Sequence, residues 1–185
     1  FLLFMTQQQS PVLIFDIGSY SIKAGMSNEA KPKYIIPSAF PSGDTKFPID
    51  KEIPMSSPVD FCIVNGEIQN KERFDFIIAS IYAEYFPNED QDPNNLYLMF
   101  SNVPYSSHKT INSIAEVAFD ILPGEQLLIK PPALFTLAQY PQLTALCVDI
   151  GHDITHVVPI EDGFICSTGV ARSFSAGSAL NYFIS

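Results

Sequence analysis

Three short apolar stretches open the regular part of the chain, and polar turn residues separate them. The stretches span residues 12–15, 21–26 and 34–36, with Gly, Ser, Asn, Lys and Pro between them. These intervening residue types end strands and build tight turns. The pattern therefore predicts a three-stranded meander.

Prolines dominate the next segment, residues 37–58. Proline lacks a backbone N–H and fixes φ, so this density is incompatible with a helix or a central strand. We expect an irregular excursion from the first domain. The prolines concerned are Pro37, Pro41, Pro48, Pro54 and Pro58.

Beyond the excursion, the apolar spacing alternates between strand and helix periods. The polar stretch Pro87–Asn95 is expected to end the first helix, and Pro131–Pro132 and Pro141 to bound a short apolar connector at 133–140. A short strand and turn are predicted at 61–66. Further strands are predicted at 96–100, 126–129, 144–149, 154–160 and 163–167, and helices at 71–86, at 107–120 and from 176.

Composition and charge restrict the possible functions. The chain has 185 residues, 46% of them hydrophobic, which is enough for a globular core. The chain has 20 acidic and 10 basic residues. This balance disfavours the positively charged surface that direct binding to nucleic acid or anionic lipid requires. No segment reaches membrane length. Three cysteines without paired spacing indicate a reduced, intracellular compartment.

The first residues are interpreted separately from the fold. Residues 1–10 are expected to form a tail. Met5 begins a short polar run and has the character of a natural start, so residues 1–4 are interpreted as a gene-model remnant.

Two strand ends repeat one motif: an apolar strand, Asp, a hydrophobe and Gly. The copies are Ile14–Gly18 and Cys147–Gly151. Glycine lets backbone N–H groups approach phosphate oxygens, and carboxylates can hold a hydrated Mg²⁺. Ser19 and Lys23 add a hydroxyl and an ammonium to the first copy only. One Asp-Gly copy is ordinary turn chemistry, but two copies that each open a hairpin favour a polyphosphate site.

These motifs resemble the phosphate loops of the actin family. Val12–Gly25 is similar to the first loop, and Val148–Phe164 to the second, whose Thr-His-x-x-Pro-Ile-x-x-Gly-aromatic portion is highly specific to actins. Val103–Tyr105 matches the turn that follows a strand in the family. The resemblance covers nearly the whole chain and about the first half of an actin. It implies an α/β, actin-like ATPase fold of the ribonuclease H type, with a mixed sheet, flanking helices and an incomplete second domain.

The resemblance also implies a domain plan. Residues 11–36 and 59–140 correspond to the first domain, or subdomain 1. Residues 37–58 correspond to a reduced subdomain 2, and residues 141–185 to the start of the second domain. Because subdomain 2 of actin carries a loop that contacts the next protomer, the short segment implies a protein that does not polymerise conventionally.

Roles carry over residue by residue from the resemblance. Asp16 and Asp149 would orient the waters of a metal ion, Lys23 would contact the β and γ phosphates, and Gly177 would lie near the nucleoside of ATP or ADP bound with Mg²⁺. The alternatives are that Lys23 is a solvent-facing strand residue and Gly177 an ordinary helix-entry glycine. The residues that would surround the phosphates are Gly18, Ser19, Tyr20 and Gly151.

Several positions depart from the family pattern. Pro132 stands where the family has the glutamine that positions the attacking water, and Gln139 lies two helical turns away. His152 replaces a metal-site carboxylate, Asp153 a glycine beside the phosphates, and Tyr20 a small residue. These changes imply slow or absent hydrolysis, as in a degenerate ATPase, and weakened nucleotide affinity. His108 and His156 are interpreted as structural.

Within the family, Phe15–Tyr20 and Gly169–Gly177 are similar to the nuclear actin-related protein of chromatin-remodelling and histone-acetyltransferase complexes, the fourth class. This implies a nuclear, nucleotide-holding assembly subunit with protein partners, actin among the candidates, and no direct contact with nucleic acid or membrane. The alternative is a divergent cytoskeletal actin that hydrolyses ATP and joins filaments in the cytoplasm. A chaperone ATPase or sugar kinase is disfavoured by the Thr155–His156 signature.

Overall fold

The computed structural model describes residues 12–87 and 96–184. The expected tail at residues 1–10, including residues 1–4, lies outside this range. So does the polar stretch predicted to end the first helix, except for Pro87. Among the described residues, no helix has the length and apolarity needed to cross a bilayer.

The described strands are β1 (Val12–Ile17), β2 (Ser21–Met26), β3 (Tyr34–Pro37), β4 (Ala39–Pro41), β5 (Val59–Phe61), β6 (Ile63–Val64), β7 (Glu67–Ile68), β8 (Leu96–Ser101), β9 (Gly124–Lys130), β10 (Ala145–Ile150), β11 (Thr155–Glu161), β12 (Phe164–Ile165) and β13 (Ala171–Ser173). The α-helices are α1 (Lys71–Tyr85), α2 (His108–Glu116), α3 (Pro132–Leu137) and α4 (Gly177–Ile184).

The first sheet has the strand order β3-β2-β1-β8-β9. Strands β1, β2 and β3 form the predicted antiparallel meander, while β8 and β9 continue the sheet in parallel from the other side of β1. The register places Asp16, near the end of β1, between Lys23 on β2 and Ser101 on β8. A mixed sheet thus brings three polar residues together at one edge.

Helix α1 covers this sheet and supplies much of the first core. Asn70 caps it by accepting a hydrogen bond from the backbone N–H of Arg73 at 2.8 Å. Phe15 and Phe100, from adjacent strands, stack at 4.7 Å between ring centroids. The buried apolar residues of the helix, at i, i+3, i+4 and i+7, are Phe74, Ile77, Ile78 and Ile81.

The proline-rich excursion has a short strand near its start and neither helix nor strand from residue 42 to residue 58. Strands β4 and β5 pair antiparallel as a two-stranded ribbon, which corrects the expectation that residues 37–41 lack a strand. This pairing is possible because Pro41 lies at the end of a short ribbon, where a missing N–H costs little. Arg73 is buried and donates to the carbonyl oxygens of Thr45 and Phe47. The excursion is therefore fastened onto α1.

The helix predicted at 107–120 divides into two parts. Helix α2 ends at Glu116, and a π-helical turn, Val117–Ile121, follows it. The N–H of Leu122 donates to the carbonyl of Val117. A Cβ at Gly124 would lie 2.4 Å from the carbonyl oxygen of Ala118. The wider turn thus ends where β9 approaches the helix closely.

A second, smaller sheet contains β10, β11 and β12, with β13 paired to β11. Strand β12 covers only two residues of the predicted 163–167 segment, and β13 is absent from the sequence prediction. Helix α4 begins at Gly177, close to the expected position. A small core joins α3 to this sheet through Ala133, Leu137, Val158 and Ile160.

Candidate functional site

The two repeated motifs form turns with matching geometry. The N–H of Gly18 donates to the carbonyl oxygen of Ser21 at 3.2 Å, and that of Gly151 to the carbonyl oxygen of Ile154 at 3.0 Å. A Cβ added to either glycine would lie 2.9 Å from the same carbonyl oxygen. Both turns therefore require glycine, and the sequence repeat is also a structural one.

A cavity of about 490 Å³ lies between the two turns. Its lining includes both loops, the first turn of α3, and the β6–β7 turn at Gly66. The structure brings together seven of the eight site residues predicted from the sequence, and Gly177 is outside the lining. The seven are Asp16, Gly18, Ser19, Tyr20, Lys23, Asp149 and Gly151.

Asp16 is held on both of its carboxylate oxygens. Lys23 Nζ lies 3.2 Å from Oδ2, and the hydroxyl of Ser101 donates to Oδ1. The same Ser101 oxygen accepts from the N–H of Ile17 at 3.1 Å. Asp16 and Lys23 are each 46% exposed, so the pair contributes little to stability but fixes the direction of both groups. Ser101 has no motif of its own, and only the parallel register reveals it.

The second loop contacts the first domain through Asp153. Asp153 Oδ2 accepts from the N–H of Asn65 at 2.9 Å, and its Oδ1 lies 3.7 Å from His152 Nε2. The His152 ring contacts the Tyr20 ring, with 5.2 Å between centroids. Asp153 lines the cavity as expected for a loop residue, but one oxygen is engaged by the β6–β7 turn. Sequence reasoning did not identify Asn65 as its partner.

His156 lies on β11 opposite Asp149 and lines the cavity. The ring is buried, and its Nε2 atom has no hydrogen-bond partner among the described residues. Burial lowers the pKa of His156, and nearby Asp149 only partly offsets this. The sequence analysis interpreted His156 as a structural residue, which agrees with its burial, but it did not predict that His156 lines the cavity. A neutral imidazole with an unpaired nitrogen can hydrogen-bond to a bound group.

Helix α3 begins at Pro132, as predicted, and presents its first residues to the cavity. Pro132 has no side-chain amide, and Ala133 has no polar side-chain atom. Thr136 therefore supplies the polar side chain of α3 in the cavity lining. Gln139 is exposed and outside the lining.

Gly177 hydrogen-bonds to the second loop and is outside the cavity lining. Its N–H donates to the carbonyl oxygen of Gly151 at 3.0 Å, and the N–H of Ser178 donates to that of His152 at 2.8 Å. A Cβ at Gly177 would lie 3.2 Å from the Gly151 oxygen. This contact explains the glycine, while its proximity to a nucleoside stays a prediction.

These residues fit a polyphosphate with a hydrated cation. The glycine turns leave room for close approach of phosphate oxygens, and Lys23 supplies an ammonium. Asp16 and Asp149 approach the cavity from separate sheets. No group of three candidate metal ligands occurs within residues 12–87 and 96–184.

Comparisons with known proteins agree with this geometry. The sequence model of the family described as Actin matches residues 7–185. Actin-related protein 4 of Kluyveromyces lactis is 26% identical, over 93% of this chain and 34% of its own length.

Two further relatives extend the comparison. The SWI/SNF and RSC complexes subunit arp42 of Schizosaccharomyces pombe is 26% identical, over 94% of this chain and 42% of its own length. Actin-like protein 9 of Rattus norvegicus is 24% identical, over 97% and 46%. The chain thus spans less than half the length of these relatives. With paired glycine turns around one cavity and a family match along nearly its whole length, the chain belongs to the actin family.

Proposed function

We propose that this protein is an actin-related protein that holds ATP or ADP with Mg²⁺, hydrolyses it slowly or not at all, and serves as a structural subunit of a multiprotein complex. The observation that carries the proposal is the pair of matching glycine turns facing one cavity, with Pro132 at the start of the adjacent helix.

Nucleotide binding is supported by groups on both sides of the cavity. The backbone around Gly18 and Gly151 would hold phosphate oxygens, and Lys23 would neutralise charge. Asp16, directed by Ser101, and Asp149 would orient the waters of the magnesium ion. The bound cation would supply charge neutralisation for the phosphates.

Slow hydrolysis is supported by the polar groups that α3 presents. A general base or a water-positioning group must lie within hydrogen-bond reach of the attacking water. Pro132 and Ala133 have no such group, and Thr136 has only a short hydroxyl. Helix α3 thus lacks a side chain that positions water, and the imidazole of His156 on β11 is left without such a helper, so we assign the cleft to holding a nucleotide with slow turnover at most.

The assembly role is supported by the relatives. One is named as a subunit of the SWI/SNF and RSC complexes, and another is actin-related protein 4. We extend to this chain a role in a chromatin-remodelling or acetyltransferase complex, a nuclear location, and protein partners. We also propose the subdomain plan given above, with residues 37–58 as a reduced subdomain 2. Arg73 ties this segment to α1, which disfavours a mobile filament contact.

A cytoskeletal actin that hydrolyses ATP is the second candidate. The observation that keeps this candidate open is the intact arrangement of Asp16, Lys23 and Ser101, because an active ATPase would need the same contacts.

The test combines nucleotide binding, turnover and pelleting on the full-length protein. We expect calorimetry to detect binding of Mg²⁺-nucleotide, phosphate release to be very slow, and the protein to stay in the supernatant with Mg²⁺ and salt. Gly18→Ala should lose binding, while Ser42→Ala, at an exposed position outside the cavity lining, should keep it.

Rapid turnover with pelleting would favour the cytoskeletal candidate, and binding that survives Gly18→Ala would contradict the assigned site. Affinity purification should recover a helicase-type remodeller or an acetyltransferase scaffold. Recovery of filament partners instead would contradict the assembly role.

A further inference from the structure

The tips of the two phosphate loops touch through aromatic rings. Tyr20 from the first loop and His152 from the second have ring centroids 5.2 Å apart and planes inclined by 51°. Rings at this separation are in direct contact, so no phosphate group lies between them in this arrangement. Tyr20 is 70% exposed and is not part of either core. The rings therefore close the space between the loop tips.

A carboxylate is fixed beside this ring pair. Asp153 is only 17% exposed, its Oδ2 accepts from the N–H of Asn65 at 2.9 Å, and its Oδ1 faces His152. Asn65 belongs to a turn with φ of 53°, and the next residue, Gly66, packs against the side chain of Val103. The turn therefore holds Asp153 in one direction.

The charges around the cavity favour a less negative ligand. Asp16 and Asp149 are assigned to the hydrated cation and Lys23 is already paired with Asp16, so Asp153 is a third carboxylate of the lining with no cation assigned to it. Like charges held about 4 Å apart repel strongly at the dielectric of a protein surface. Each further phosphate on a ligand adds to this repulsion.

We propose that the cleft selects a nucleoside diphosphate over the triphosphate, with Asp153 as the residue that determines this specificity. The inference rests on the nucleotide binding proposed above. A diphosphate would need only the glycine turns and Lys23. A third phosphate that extended to the loop tips would meet the Tyr20–His152 pair and the fixed carboxylate of Asp153.

The test compares the dissociation constants of Mg²⁺-ADP and Mg²⁺-ATP for the full-length protein, by calorimetry at one ionic strength. ADP should bind at least about tenfold more tightly than ATP, which corresponds to about 1.4 kcal/mol. Asp153→Asn removes the charge but keeps an oxygen acceptor for the Asn65 N–H, and should lower this ratio about tenfold. Asp162→Asn, an exposed turn residue outside the cavity lining, is the matched control and should leave the ratio unchanged.

A second variant, Tyr20→Gly, opens the space between the tips and should also shift the ratio toward ATP. It tests the inference if Asp153→Asn fails to fold, which melting curves would reveal. Equal affinities, or tighter ATP binding by the unmodified protein, would overturn the selection and leave nucleotide binding intact. A preference that survives Asp153→Asn would overturn the role of Asp153. Failure of both nucleotides to bind would overturn the proposed function together with this inference.

Discussion

At the scale of single residues, His156 has the most direct consequence for solution behaviour. Its buried ring has a lowered pKa, so the unfolded chain binds a proton more readily than the folded one. Stability is then complete above pH 6.5, the ordinary value for histidine, and decreases as the pH falls below it. Asp149 partly opposes the shift, whereas Arg172 reinforces it.

The prediction is that His156→Gln reduces the loss of stability between pH 7 and pH 5. Glutamine keeps a polar side chain but has no proton to gain in this range. Melting temperatures across the range measure the effect, and His108→Gln, at an exposed position, is the control. If the melting temperatures of the unmodified protein and of His156→Gln fall in parallel with pH, protonation of His156 does not destabilise the folded protein.

Much of the site could be predicted from local sequence, and the rest depends on distant pairing. The Asp-hydrophobe-Gly repeat identified the loops because a turn is built by adjacent residues. Ser101 contacts Asp16 across 85 residues, and Asn65 contacts Asp153 across 88. Neither partner carries a motif, since an ordinary serine hydroxyl and a backbone N–H make these contacts. The register of β1 with β8 brings Ser101 to Asp16, and the packing of the β6–β7 turn against the second loop brings Asn65 to Asp153.

At the scale of elements, α2 depends on a carboxylate from a neighbouring strand. Glu67 on β7 accepts from the backbone N–H of Ser107 at 2.8 Å, from its hydroxyl at 2.6 Å, and from the hydroxyl of Thr110 at 2.5 Å. Burial alone would raise the pKa of Glu67, but these hydrogen bonds outweigh it and lower the pKa. The charge also lies at the helix N-terminus, where the dipole favours it.

We predict that Glu67→Gln lowers the free energy of unfolding by about 1–3 kcal/mol, because a partly buried charged acceptor is lost. Urea unfolding followed by circular dichroism measures this change. Glu84→Gln, on the exposed side of α1, should differ from the unmodified protein by less than about 0.5 kcal/mol. Equal midpoints for the two variants would exclude a capping role for Glu67.

Element prediction from the sequence succeeded where periodicity was strong. Helix α1 and strands β1, β2 and β8 have regular apolar spacing and match their predicted positions. Strand β13 was missed because all three of its residues are exposed, so no apolar alternation marks it. The π-helical turn after α2 was also missed, since it follows from the approach of β9 at Gly124 and not from local pattern.

At the scale of the whole molecule, the second sheet leaves apolar surface exposed. Strand β10 pairs with β11 on one side, and no other described strand pairs with it. Leu146, Val148 and Ile150 on one of its faces are more than half exposed. Tyr182, Phe183 and Ile184 of α4 are more exposed still. Exposed apolar side chains in this number favour association with an apolar partner or ligand.

We therefore predict that the 185-residue chain binds the apolar dye ANS while folded. The double variant Leu146→Gln/Ile150→Gln should reduce the dye fluorescence by about half, because two of the exposed β10 side chains become polar. Ile35→Gln, on the first sheet, serves as the control. Unchanged fluorescence in the double variant would place the dye elsewhere.

The connectivity of the two sheets also sets an order of formation during synthesis. Strand β10 pairs with β11 across a short turn that joins Ile150 to Thr155, so this sheet needs little loop closure. Strand β1 can pair with β8 only after β8 has been synthesised, because this parallel pairing joins Asp16 to Ser101, 85 residues apart. As the chain leaves the ribosome, each loop can close its turn as soon as the next strand, β2 or β11, has emerged. Asp16 in the first loop, however, acquires its Ser101 partner only after a further 85 residues.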